Sequence, residues 1–391
     1  MSRAHSCRLL YGLLMLSAAL HAEARPIPYT PADDAQIVET LPAAGDPDLR
    51  ALKALRVRLA ATPDDLNLTL DVARRNIALA RRNADPRYLG HAEALLAPWL
   101  QRTPTAELLV LQATLLQSNH RFDAASATLD HALQLEPANA QAWLTRVTIA
   151  QVQGRPADAR SACARLAGLI DPGYALACLA GVEGLNGAGA SAYRTLEQRA
   201  LGGSAAEWER GGLYVSLAEL AARLGRHDEA RHWFDTALAA APDAYTRAAY
   251  ADFLLDAHDD VAVLDLLAGS ERADPLLLRL AEAARRSRRI PDAPLVAALN
   301  ARFDATRARG EAVHLREESR FRLRLLGDAT GALALAQRNW SVQREPADAR
   351  VLLEAALAAH DPRAAQPVLD WMRATRLEDV ALRDLVHRLG A

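Results

Sequence analysis

Lysine is nearly absent from this chain: of its 391 residues 46 are basic, and Lys53 is the single one that is not arginine. A phosphate-cradling P-loop needs a Gly-Lys-Ser/Thr run and is therefore excluded, and Schiff-base chemistry nearly so. Aromatic residues are scarce at 5%, against 51% apolar residues overall. That balance suits many small Ala/Leu-faced helices and argues against sandwiches and barrels, whose strands draw on aromatic and β-branched residues. No basic surplus exists either, because 48 acidic residues leave a net charge of −2, so nothing is left over for a nucleic-acid backbone. Long apolar runs are missing as well. The longest, Leu9 to Leu20, has twelve residues, where a membrane-crossing helix takes about 20. What remains is a chain about twice the size of one compact domain, hence two or three domains or one elongated array.

The short apolar run is an address. Arg3 and Arg8 precede it, Ala22-Glu23-Ala24 offers the small residues a signal peptidase accepts, and Arg25-Pro26 follows. Residues 1–24 read as a cleaved secretory signal, with an uncleaved anchor as the alternative, and the mature chain as periplasmic or secreted without a transmembrane segment. Cys7 lies ahead of the run rather than at the cleavage site, which speaks against a lipoprotein. Arginine in place of lysine and abundant alanine fit high-GC bacterial coding, so the bacterial periplasm is the expected compartment. There Cys163 and Cys178, the two thiols beyond the signal, are either a disulfide or two small buried hydrophobes. Residues 25–45 hold several prolines and acids, and are expected to form an extended arm with a short helix near Asp34 to Leu41.

Beyond the arm the sequence repeats itself. Leu109, Ala113, Leu116, Phe122, Ala125, Leu129, Ala132 and Pro137 superpose without a gap on Tyr214, Ala218, Ala221, Ala230, Phe234, Ala237 and Pro242 and their neighbours. Each segment reads as two amphipathic helices, a short turn and a closing proline, which starts or precedes a helix and cannot sit inside one. Pro104, Pro137, Pro172, Pro242 and Pro346 differ by 33, 35, 70 and 104, close to one, one, two and three repeat lengths. These residues resemble the tetratricopeptide repeat. The clear copies lie near 106–137, 140–172, 211–242 and 315–346, with degenerate ones between and after them. The resemblance implies an all-α, right-handed superhelical solenoid of about eight to ten antiparallel helix pairs over residues 46–375, covered by a capping helix within 376–391. Ala113, Ala125 and Ala218 let backbones approach, and Trp143, Leu116, Tyr214 and Phe234 fill the space between hairpins. No hairpin is stable alone, so contacts should be local and one face should become a trough lined by the first helix of each pair.

Catalytic patterns are mostly missing. His227 and His232 are five apart, where a zincin pair needs four, and both fall in the turn and second helix of a clear repeat. No Gly-x-Ser-x-Gly occurs, and Gly184 to Gly189 has no strand before it and reads as a loose turn. No catalytic residue, metal ligand or cofactor is expected. Arg285, Arg286, Arg288 and Arg289 form the densest basic run, a candidate patch for an acidic partner or a solvated helix end before Ile290-Pro291.

The family's groove positions, carried onto the matching copies, fall on Glu107, Thr114, Gln117, Gln141, Thr148, Gln151 and Glu219. Such side chains suit hydrogen bonding to the backbone of an extended peptide. The Lys, Asn and Arg set with which this family clamps a terminal carboxylate is absent. The expected function is a non-catalytic protein-protein interaction scaffold or adaptor of the bacterial cell envelope, holding a protein or peptide in the concave groove. Self-association through an apolar end is a further possibility. The rival is a ligand carrier or enzyme with its site in the degenerate middle, residues 245–310.

Overall fold

A computed structural model describes residues 46–102, 104–203, 205–310 and 314–390, together with Asp33 and Ala35. The signal segment lies outside the described residues, and so does the arm apart from Asp33 and Ala35. The chain divides into two compact units, Met1–Pro47 and Asp48–Ala391, and everything below concerns the second.

Helix α1 (Pro47–Ala61) precedes nine hairpins, each made of two consecutive helices packed side by side. They are α2–α3 (Leu66–Asn83, Arg87–Leu100), α4–α5 (Ala106–Ser118, Phe122–Leu135), α6–α7 (Ala140–Val152, Pro156–Leu166) and α8–α9 (Pro172–Glu183, Gly189–Leu201). Next come α10–α11 (Glu207–Arg223, His227–Ala240), α12–α13 (Ala244–Asp256, Asp260–Leu266) and α14–α15 (Asp274–Ser287, Ala293–Ala308). The last two are α16–α17 (Leu315–Phe321, Ala329–Trp340) and α18–α19 (Pro346–Ala358, Gln366–Thr375), followed by α20 (Val380–Arg388). A π-helical stretch, Arg322–Leu326, prolongs α16. There is no strand among the described residues. The fold is the expected all-α solenoid, with a hairpin count inside the expected range.

Local chemistry punctuates the array. Five of the nine first helices start on a capping side chain: Asp65, Thr105, Asn139, Asp171 and Asp243 each accept an N–H three residues on. Each such cap is worth about 1 kcal/mol. The turn inside a hairpin needs a left-handed residue, and Gly154, Gly187, Gly225 and Gly327 supply it, while His120, His258 and His360 take the same conformation in other hairpins. Ala113, Ala125 and Ala218 have no surface left, as close helix approach requires, and Phe234 is buried. The core is a series of clusters, each shared by neighbouring hairpins.

Cys163 on α7 and Cys178 on α8 form a disulfide that joins two hairpins across a separation of 15 residues. Replacing both by alanine is expected to cost about 2–4 kcal/mol. The urea midpoint of oxidised protein would fall accordingly and lose its sensitivity to reductant; an unchanged midpoint would refute the estimate.

Contacts are not all local, contrary to the nearest-neighbour expectation. The last two hairpins and α20 fold back on the turns of four earlier ones. Gln343 meets His120 in the α4–α5 turn, Nε2 to Nδ1 3.1 Å. The Arg344 N–H donates to the Val152 carbonyl at the α6–α7 turn (2.7 Å). Glu378 accepts the Gly189 N–H at the α8–α9 turn (2.5 Å), and Val380 lies against Gly225 at the α10–α11 turn. Close approach explains two of the glycines: a Cβ at Gly154 would stand 3.1 Å from Cβ of Arg344, and one at Gly187 would stand 2.9 Å from Cβ of Arg376.

Candidate functional site

The first helices of the later hairpins turn charged residues toward one another. Arg320 on α16 spans Asp252 on α12 (2.6 Å) and Glu282 on α14 (2.6 and 2.9 Å). Asp252 also takes Arg279 at 2.5 Å. Arg324 links Glu282 at 3.3 Å to Glu354 on α18 at 2.6 Å. Arg350 pairs with Glu354 at 2.8 Å and, through two 2.6 Å bonds, with Asp256 back on α12. Four arginines thus meet four carboxylates, and this ladder is electrically closed. Burial pushes the Asp252 carboxyl up, but Arg279 and Arg320 outweigh it and hold Asp252 well below the usual carboxylate range. Burial acts likewise on Glu354, which Arg324 and Arg350 bring down to about 2.

Beside the ladder lies a second cluster in which acid outnumbers base. Arg316 reaches Glu317 (3.3 Å), Glu345 (3.4 Å) and Asp348 (3.3 Å). Across from it Tyr245 on α12 donates its hydroxyl to Glu219 on α10 at 2.8 Å. Tyr245 keeps 59% of its surface open to water, so this part of the inner face is wet while charged groups surround it. Burial raises the Glu219 carboxyl. Burial also pushes Glu345 up to about 7, with Asp348 and Glu219 adding to the rise against the pull of Arg316.

Glu345 therefore makes stability fall with rising pH. An unfolded glutamate titrates near 4.3, so the folded state binds the extra proton between about 4 and 7. The resulting stabilisation is complete below the unfolded value and lost as pH rises through about 7. Discounting for a side chain that is 38% exposed, the loss between pH 5 and 8 is expected to be about 1–2 kcal/mol. Urea midpoints of the wild type and of Glu345→Gln across that range should diverge; parallel curves would refute the assignment.

The residues expected to line the groove lie on α4, α6 and α10. Glu107 is paired with Arg74 on α2, and the buried Thr114 hydroxyl donates to its own helix at the Val110 carbonyl. Gln141 Nε2 donates to Thr145 (3.4 Å), and the exposed Thr148 donates to the Leu144 carbonyl. Gln117 and Gln151 end α4 and α6, where their carbonyls accept the N–H groups of His120 and Gly154. The Arg285–Arg289 run is a helix end put to internal use. Arg285 donates to Asp292 and to the Leu325 carbonyl, and Arg286 to the Leu255 carbonyl while pairing with Asp260. Arg288 takes the left-handed conformation that stops α14, and the Arg289 N–H donates to the Ser287 hydroxyl. Among the described residues no three His, Cys, Asp or Glu side chains converge as a set of metal ligands, and no helix is long and apolar enough to cross a membrane. The wet cluster and the ladder escaped the sequence reading apart from Glu219. Their one signal is the spacing of Arg316, Arg320 and Arg324, which puts an arginine on the same face at every turn.

Comparison with known proteins supports the fold. A tetratricopeptide-repeat family model matches residues 212–244. No curated protein matches the chain. Among solved structures, a chain of the APC/C hetero-tetramer Cut9-Hcn1 is similar at 15% identity with a TM-score of 0.50; the match covers 84% of this chain and 64% of that one. This chain therefore spans less than two thirds of that relative. A tetratricopeptide repeat protein from Parabacteroides merdae is similar at 14% identity, with 73% of this chain and 99% of that one covered and a TM-score of 0.31.

Proposed function

We propose that this tetratricopeptide-like array is a non-catalytic protein-interaction scaffold of the bacterial cell envelope, holding a polypeptide partner along the inner face of its earlier hairpins. One observation carries the reading. On the later hairpins the ladder of Arg279, Arg320, Arg324 and Arg350 with Asp252, Glu282, Glu354 and Asp256 pairs its charges internally, whereas on the earlier ones the Gln141 and Thr148 side chains remain exposed. Uncharged hydrogen-bonding groups on a rigid row of helices suit an extended backbone better than they suit bond breaking, which needs an activated nucleophile or a poised acid and base. The Cys163–Cys178 bridge fits an oxidising compartment and so supports export.

Tagged protein exposed to envelope extract is expected to retain the same polypeptide in repeated trials. Charge substitutions at Gln117 and Gln151 should reduce that retention at least fivefold while the helical circular dichroism stays unchanged. Retention of no polypeptide across a range of salt concentrations would overturn the proposal.

A further inference from the structure

The loop between α17 and α18 closes on the turns that follow Gln117 and Gln151. Two consecutive residues attach it to earlier hairpins, and a third turns back to α16. Gln343, with only 5% of its surface left, places its amide on the His120 imidazole. Arg344 gives its main-chain N–H to the Val152 carbonyl and lays its side-chain stem against Gly154. Glu345 joins Arg316 opposite Tyr245 and Glu219. The first two sites are the turns that follow Gln117 and Gln151. A main-chain N–H given to a helix-end carbonyl, with a neighbouring side-chain amide bonded beside it, is the way a bound extended peptide is held.

The attachment is also of a kind that can be undone. The last hairpins share a core of residues such as Leu333, Trp340, Leu352, Val368 and Leu385, which takes in Leu185 from the early hairpins, while Phe321 and Leu325 pack with Leu277 and Phe303 of the preceding hairpin. The 343–345 loop itself meets the early turns through two hydrogen bonds and the Arg344 stem on Gly154, as in contacts between domains that separate and rejoin. We propose that residues 343–345 act in cis as a stand-in for the partner, so that the array is autoinhibited and a polypeptide partner binds by displacing this loop. This rests on the scaffold reading for what is displaced, but the loop's release is measurable without a partner.

Two measurements decide it. In the unmodified protein, hydrogen exchange at the Arg344 amide should run at least a hundredfold faster than at amides in the middle of α18, through local opening. Exchange of both at one common rate would make the loop permanent structure and overturn the proposal. The second uses a fluorescent peptide of the loop's own sequence, Ser-Val-Gln-Arg-Glu-Pro, with the double variant Gln343→Gly/Arg344→Gly. With the Gln343 amide and the Arg344 stem removed the intramolecular copy is weakened, and the variant should bind the peptide at least tenfold more tightly than the wild type, in which the tethered loop competes at an effective concentration of order millimolar. Equal binding, or none by a variant of unchanged helicity, overturns the proposal. If the loop opens and the peptide binds while envelope extract yields no partner, it is the scaffold reading that fails and the releasable loop that stands.

Discussion

Replacing Arg320 by methionine is expected to remove about 3–5 kcal/mol of stability. The guanidinium is held between Asp252 and Glu282, and Glu282 has only 2% of its side chain exposed. Methionine fills comparable space but leaves Glu282 with Arg324 at 3.3 Å and Asp252 with Arg279 alone. A carboxylate that cannot be rehydrated then stays in place short of its counter-charge. Arg320→Lys should recover part of the loss, because an ammonium restores the charge but not the fork that reaches two acids on two helices. Urea unfolding followed by circular dichroism reads both variants. A methionine variant within about 0.5 kcal/mol of the wild type, the ordinary range for a surface change, would mean that water reaches the ladder freely.

Phe234→Ala should produce a loss of similar size, about 3–5 kcal/mol. Phe234 on α11 has 1% of its surface exposed and stacks on Tyr250 at 4.9 Å and against Phe253 at 5.5 Å, both on α12. Alanine leaves a hole at the joint between two hairpins. In a strictly one-dimensional array such a hole separates the unfolding of the two sides. Here the sides also communicate by another route, from Glu378 to Gly189 and from Arg344 to Val152. The variant is therefore expected to unfold at a lower midpoint but still in one transition. Two resolved transitions would show that the back-folded contacts couple the array too weakly to matter.

How far these features were legible in the sequence depends on their range. The hairpins were readable because each is specified within about 34 residues: small residues at the crossings, capping acids, prolines at first turns, and a left-handed turn residue. The fold follows from repeating that unit. The back-folding was not readable. It rests on pairs such as His120 and Gln343, which are 223 residues apart, and a repeat pattern says how neighbours pack but not how many repeats bring distant turns together. The same limit hid most of the wet cluster. Glu219 was placed on the inner face, but its partner Tyr245 stood in a degenerate copy, and nothing in the repeat pattern singled out Glu345. Thr114 shows the reverse case: a groove position by family register, yet its hydroxyl is spent on its own helix.

The back-folded contacts also bear on how the chain is made. Val152, Gly189 and Gly225 leave the ribosome long before Arg344, Glu378 and Val380 do. For the 223 residues between His120 and Gln343, synthesis at about 5–20 residues per second takes roughly 11–45 s. During that interval the nascent early hairpins present bare turns to whatever is near. The final fifty residues thus serve as a late-arriving shield, and a transcript truncated ahead of Gln343 would yield a product that never acquires it.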